Sequence, residues 1–238
     1  MSGARQLVFD LGQRPALGRG DFLVAPSNEV AVALVDRWPD WQLPVAVLWG
    51  PAGAGKSHLA EVWHRASGAC AVDLAALREG DLAAVASGAA PVLLEDADRA
   101  LAAAPEKEQL LFHLHNLLGE GRRALLMTAR RPPQAWRVGL PDLRSRLSAA
   151  LSVELGPPDD SLIHGVLVKL FADRQLHVEP EVLNYLLPRM ERSFEAARAL
   201  VAMVDRMALE SRRDIKIGLV REALAGPEED RSHNEKKD

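Results

Sequence analysis

One cysteine, one tyrosine and an aromatic fraction of 5% are what these 238 residues have least of. With Cys70 alone, neither a disulfide framework nor a cysteine-rich zinc site can form, and a cytoplasmic address is the expectation. No apolar stretch approaches the roughly 18 uninterrupted residues of a membrane span, and no basic segment followed by an apolar run opens the chain, so neither export nor anchoring is expected. An excess of one charge is missing too: 29 Lys and Arg face 33 Asp and Glu, for a formal net charge of -4. No overall field draws such a molecule onto DNA or an anionic membrane, and any contact with nucleic acid is expected to be local or indirect. Familiar hydrolase signatures are lacking as well. There is no G-x-S-x-G elbow and no H-E-x-x-H pair, and His113 and His115, two apart on a predicted helix, diverge.

What the chain does have is apolar residues, 48% of the total, and a regular alternation of patterns. Residues 1–20 hold Pro15, Gly12, Gly18 and Gly20 without a sustained period and read as an arm. In SNEVAVALVDRWPDW, Ser27 or Asn28 offers a helix N-cap and Pro39 a stop. Continuous apolar or strand-like runs at LPVAVLW, ACAVDL, PVLLED, RALLMTA and ALSVEL alternate with helical segments at KSHLAEVWHRAS, LAALREGDLAAVA, EKEQLLFHLHNLL and LPDLRSRL. Strands alternating with helices predict a parallel sheet covered on both faces. Beyond Gly156-Pro157-Pro158 only helical patterns remain, near 159–174, 180–190, 193–210 and 216–224. The expected organisation is an arm over 1–20, an α/β base domain over 21–156, a small all-α domain over 157–225 and a disordered, charged tail over 226–238. Trp38, Trp41, Trp49, Trp63 and Trp136 fall mostly beside apolar runs and read as packing residues rather than base-stacking platforms.

The most specific motif is GPAGAGKS, residues 50–57, which fits G-x-x-x-x-G-K-[ST] and stands between a predicted strand and a predicted helix. Gly50, Gly53 and Gly55 allow a tight turn whose backbone N–H groups face a phosphate chain, and the following helix adds its positive dipole end. The cradle comprises Gly50, Pro51, Ala52, Gly53, Ala54, Gly55, Lys56, Ser57 and His58. Lys56 is expected to reach the β and γ phosphates, and the Ser57 hydroxyl to hold Mg²⁺. The bound group is ATP or ADP. About forty residues on, PVLLEDAD places Glu95, Asp96 and Asp98 after a strand, where a carboxylate holds the hydrated metal and polarises an attacking water.

Taken together, GPAGAGKSHLA, VLLEDAD, LLMTARRPP and LPDLRSRL followed by helices resemble the AAA+ ATPases of the DnaA type. Within them the pattern is most similar to the Hda group, small DnaA relatives that regulate the replication initiator. The resemblance spans about residues 5–225 and implies an AAA+ P-loop base domain with a helical lid. FLVAPSNEVAVALV resembles the segment that borders the adenine, which implies contacts from Phe22 and Val24. Thr128 looks like the sensor position that orients water or the γ phosphate, and Arg146 is similar to the arginine finger that reaches a neighbouring subunit's nucleotide.

Glu95-Asp96 stands where relatives carry an Asp followed by an acid or Asn. The Mg²⁺ ligand beside Ser57 is therefore Asp96, shifted in register, or the longer Glu95, and intrinsic ATPase activity is expected to be weak at most. Glu195 occupies the lid position where relatives have a sensor Arg, for which Arg198 or Arg192 can substitute.

No helix-turn-helix domain follows the lid, so direct sequence-specific DNA binding is not expected. QLVFDL, read from its alternation alone, is either an edge strand or a peptide for another protein's groove. The resemblance favours the peptide, with Gln6, Leu7, Phe9 and Leu11 as anchors for the DNA polymerase sliding clamp. The implied partners are that clamp and the initiator DnaA, with a homodimer possible. The remaining alternatives are an adaptor or loader that does not inactivate the initiator, and a stand-alone P-loop ATPase.

Overall fold

The computed structural model describes residues 23–225. The expectations for the arm with Gln6, Leu7, Phe9 and Leu11, for Phe22 and for the tail lie outside those residues. The chain divides into two compact units between Pro157 and Pro158.

In the first unit the order is α1 (Glu29–Asp36), β1 (Val45–Trp49), α2 (Lys56–Ser67), β2 (Cys70–Val72), α3 (Leu82–Ser87), β3 (Val92–Leu94), α4 (Ala97–Ala103), α5 (Lys107–Glu120), β4 (Leu125–Ala129), α6 (Pro141–Ala149) and β5 (Leu151–Glu154). The strands form one sheet in the order β2-β3-β4-β1-β5, every pair parallel. Because side chains alternate across a strand, the apolar run of β1 serves two cores at once. Val45 and Val47 join Leu94, Met127, Leu111, Leu114 and Leu143 on one face; Ala46 and Leu48 join Leu93, Leu126, Val32, Leu59 and Trp63 on the other. Each fully buried Leu or Val contributes about 1.5–3 kcal/mol, and β1 lies between β4 and β5.

One element was not marked in the sequence reading. The stretch ADRALAA, next to the acidic cluster, forms α4, a seven-residue helix. Its buried residues are Ala97 and Leu101, an i, i+4 pair too brief to register as a period. Cys70, although in an apolar run, is exposed on the edge strand β2.

The second unit contains α7 (Asp160–Asp173), α8 (Pro180–Leu186), α9 (Phe194–Ser211) and α10 (Ile217–Ala225). Its core gathers Ile163, Leu167, Phe171, Leu183, Leu186, Val201, Val204 and Val220. Two helices start on side-chain caps: Asp159 Oδ1 accepts the Leu162 N–H at 2.8 Å, and Ser193 Oγ accepts the Ala196 N–H at 3.1 Å. No helix among the described residues is long and apolar enough to cross a membrane.

Candidate functional site

A parallel sheet brings the C-terminal ends of its strands to one edge, and β4 lies between β1 and β3. The register pairs Leu48 with Thr128 and Leu94 with Met127. The glycine loop after β1, the Thr128 end of β4 and the acids after β3 therefore emerge side by side, although they are far apart in sequence. That edge is where open α/β sheets hold ligands.

The loop is shaped by backbone constraints. Gly50, Gly53 and Gly55 have φ of 153°, 75° and 95°. A Cβ on Gly50 would lie 2.0 Å from the Leu155 carbonyl oxygen, so the loop leaves β1 pressed against the end of β5. On the other side the Gly50 N–H donates to the Ala129 carbonyl at 3.2 Å. At the head of α2 no side chain caps the helix, and its first N–H groups are left for an external acceptor. Lys56 is buried. Its ammonium donates to the carbonyls of Gly50 at 2.9 Å and Pro51 at 2.7 Å, folding the lysine back over the loop. Burial lowers the Lys56 pKa and Arg130 acts the same way, while Asp96 and Asp98 raise it. Charges from the ends of β3 and β4 thus act on the ammonium carried by the loop after β1. Ser57 and His58, the next residues of α2, are exposed.

The acidic segment is tied to β4 at two points. Thr128, 1% exposed, accepts the Asp96 N–H on Oγ1 at 2.9 Å, and Asp98 Oδ2 accepts the Arg130 N–H at 3.0 Å. Asp96 occupies the left-handed region, φ 49° and ψ 40°, which a non-glycine residue adopts at a cost of about 1–3 kcal/mol. The Thr128 bond offsets part of that cost. The Asp96 carboxylate stands 3.4 Å from Arg99, both groups largely exposed, and Glu95 projects into solvent. Asp98 Oδ1 is buried without a hydrogen-bond partner among the described residues. Spacing alone pointed to the carboxylates but not to the clip made by Asp98 and Arg130, whose partners lie 32 positions apart.

No cluster of three or more His, Cys, Asp and Glu among the described residues can hold a metal unaided. A hydroxyl, one or two carboxylates and phosphate oxygens are instead what Mg²⁺ takes, with water completing its shell. Ser57, Asp96 or Glu95, and the unsatisfied Asp98 oxygen fit that donor set.

The segment before α1 is held from within. Asn28 occupies the N-cap position but bonds backwards: its Oδ1 accepts the Ala25 N–H at 2.9 Å and its Nδ2 donates to the Leu23 carbonyl at 2.9 Å. Val24, half-buried against the α1–α2 core, is fixed by that turn. Arg146 sits near the end of α6, its guanidinium carbon 5.2 Å from the Phe112 ring centre and its Nη1 3.3 Å from His115 Nδ1. In the second unit Arg198 and Glu195 are exposed on α9, and Arg192 pairs with Asp160 at 2.7 Å.

This arrangement has counterparts among solved structures. Domain III of the replication initiation protein DnaA from Thermotoga maritima superposes with a TM-score of 0.73 at 18% identity, over 86% of this chain and 93% of that one. AMPPCP-bound DnaA from Aquifex aeolicus gives 0.67 at 18% identity, over 84% and 68%, and a Thermotoga maritima RuvB variant 0.65 at 16%, over 84% and 67%. The fold is that of the AAA+ domains of DnaA and RuvB. No protein-family model matches the chain. At this identity the likeness shows the AAA+ fold alone.

Proposed function

We propose that this chain is an ATP- or ADP-binding AAA+ regulator of replication initiation, which docks on the DNA polymerase sliding clamp and promotes ATP hydrolysis by the initiator DnaA. The observation that carries the nucleotide part is the glycine loop with its buried Lys56, set beside an acidic turn that Thr128 clips in place. That DnaA from Aquifex aeolicus has been solved with AMPPCP bound supports the same reading.

Gly50 to Gly55 and the N–H groups at the head of α2 would hold the phosphates, with Lys56 exchanging its carbonyl partners for phosphate oxygens and His58 at the rim. Ser57 and Asp96, or Glu95, would hold Mg²⁺, which when bound supplies positive charge against the phosphate oxygens. Val24 and Phe22 would border the base, and Arg198 would serve the lid position that Glu195 leaves without a cation. Thr128 Oγ1 already accepts the Asp96 N–H, and the Asp96 carboxylate lies toward Arg99; both features fit slow turnover by the chain itself.

The initiator's reaction is served by Arg146. An always-charged, planar guanidinium on an exposed helix end suits the developing charge of a phosphoryl group held by another subunit. Gln6, Leu7, Phe9 and Leu11 would occupy a groove on the clamp and bring the two proteins together. In this reading residues 21–156 serve as the base domain and 157–225 as the lid.

The test is reconstitution: clamp loaded on DNA, ATP-bound initiator, and this protein. Wild type should accelerate conversion of the initiator's ATP to ADP, whereas a variant with Gln6→Ala and Leu7→Ala should not. Equal acceleration by that variant would remove the clamp from the mechanism, and no acceleration by wild type would sink the regulatory reading.

A further inference from the structure

One face of α5 is given over to α6. Glu108, Phe112 and His115 lie at i, i+4 and i+7, and each engages α6 or the turn before it. Glu108 is buried, and its Oε1 accepts the Gly139 N–H at 2.9 Å while Oε2 accepts the Leu140 N–H at 2.7 Å. Leu140 is the N-cap residue of α6 and has no polar side chain, and the carboxylate from α5 anchors the two amides with which the chain enters that helix. At the other end of α6, the Arg146 guanidinium stands over the Phe112 ring and donates to His115 Nδ1. A guanidinium has only donors, so the imidazole accepts, which requires the neutral tautomer with its proton on Nε2. Burial first, and then the Arg146 charge, lower the His115 pKa and keep that acceptor available near neutral pH.

An exposed arginine samples many rotamers. Before it can meet a partner's phosphate it must give most of that freedom up, and any part given up beforehand speeds the productive encounter.

We propose that Phe112 and His115 are positioning residues for Arg146, holding its guanidinium in one orientation before a nucleotide on another subunit is met. Neither residue touches the nucleotide; the flat ring restricts the plane of the guanidinium and the imidazole fixes its rotation. The consequence for hydrolysis rests on the reading of Arg146 given above, but the contact itself does not.

Two measurements on the full chain test it. The first is the NMR titration of the His115 Cε1–H in wild type and in Arg146→Gln. Removing a cation held against the ring should move the titration to higher pH; superimposable curves would overturn the proposal. The second is the initiator's ATP hydrolysis with Phe112→Leu and Phe112→Trp. Leucine keeps apolar volume but no π face, and should cut the stimulated rate by about ten- to a hundredfold, with the melting temperature and the chain's own nucleotide affinity kept. Tryptophan keeps the π face and should retain most of the rate. A leucine variant as active as wild type would overturn the proposal too. If Arg146→Ala already leaves the initiator's hydrolysis unchanged, the functional reading fails, and the titration alone decides the contact.

Discussion

The glycine loop and the Arg146 corner are built by opposite means. The loop is fixed by main chain: Gly50 is wedged against Leu155 and bonded to Ala129, and even Lys56 is anchored on carbonyls. Arg146 is fixed by side chains, an aromatic face and one imidazole on a neighbouring helix. A site that must hold a polyphosphate of its own gains from rigidity, because every donor has to be in place before the ligand arrives. A group that serves another subunit has to project into solvent and find its target, and only its orientation can be prepared. On the proposed reading, the means of support within one small domain follow from whose nucleotide is being handled.

The sharpest way to break this contrast is at Gly50. Gly50→Ala puts a methyl group into backbone and should cost more than about 4 kcal/mol, seen as a large fall in melting temperature and lost nucleotide binding. A mild effect would mean that the main-chain wedge does not shape the loop. Next comes Arg146→Ala, for which stimulation of the initiator's hydrolysis should fall by about 10³-fold or more, measured in the reconstituted reaction, with melting unchanged. Thr128→Val should cost about 1–3 kcal/mol, because the Asp96 N–H is left without its acceptor while Asp96 stays in the left-handed region. Chemical denaturation would report it, and Thr128→Ser should restore most of the loss. The smallest effect belongs to Ser193→Ala, which removes the cap of α9 and should cost about 1 kcal/mol. Melting followed in the second unit should register that loss, while binding at the loop stays as in wild type.

Contiguity decided what could be read in advance. GPAGAGKS carries its mechanism within eight residues, and the runs of β1, β3 and β4 announce buried strands, so the α/β layers were legible from the residues and the AAA+ fold through resemblance to a family. The helices of the second unit, with Asp159 and Ser193 at their starts, were legible for the same reason. Features that depend on residues brought together by folding were not. Nothing local marks Asp98 as the acceptor for the Arg130 N–H, or Glu108 as the acceptor for the Leu140 N–H 32 positions further on. Asn28 stands where a cap belongs, yet its amide turns backwards to bond the main chain of Leu23 and Ala25, which residue type alone does not announce. Thr128 was singled out through resemblance to a family; its bond to the turn at Asp96 came only with the sheet order.

The contrast between the two regions is tested most directly by equilibrium titration of ATP and ADP onto Lys56→Ala and Arg146→Ala beside wild type. The account predicts that Lys56→Ala loses binding by at least about a hundredfold and that Arg146→Ala binds as wild type does. Binding by Lys56→Ala at wild-type affinity, or an equal loss in Arg146→Ala, would contradict it.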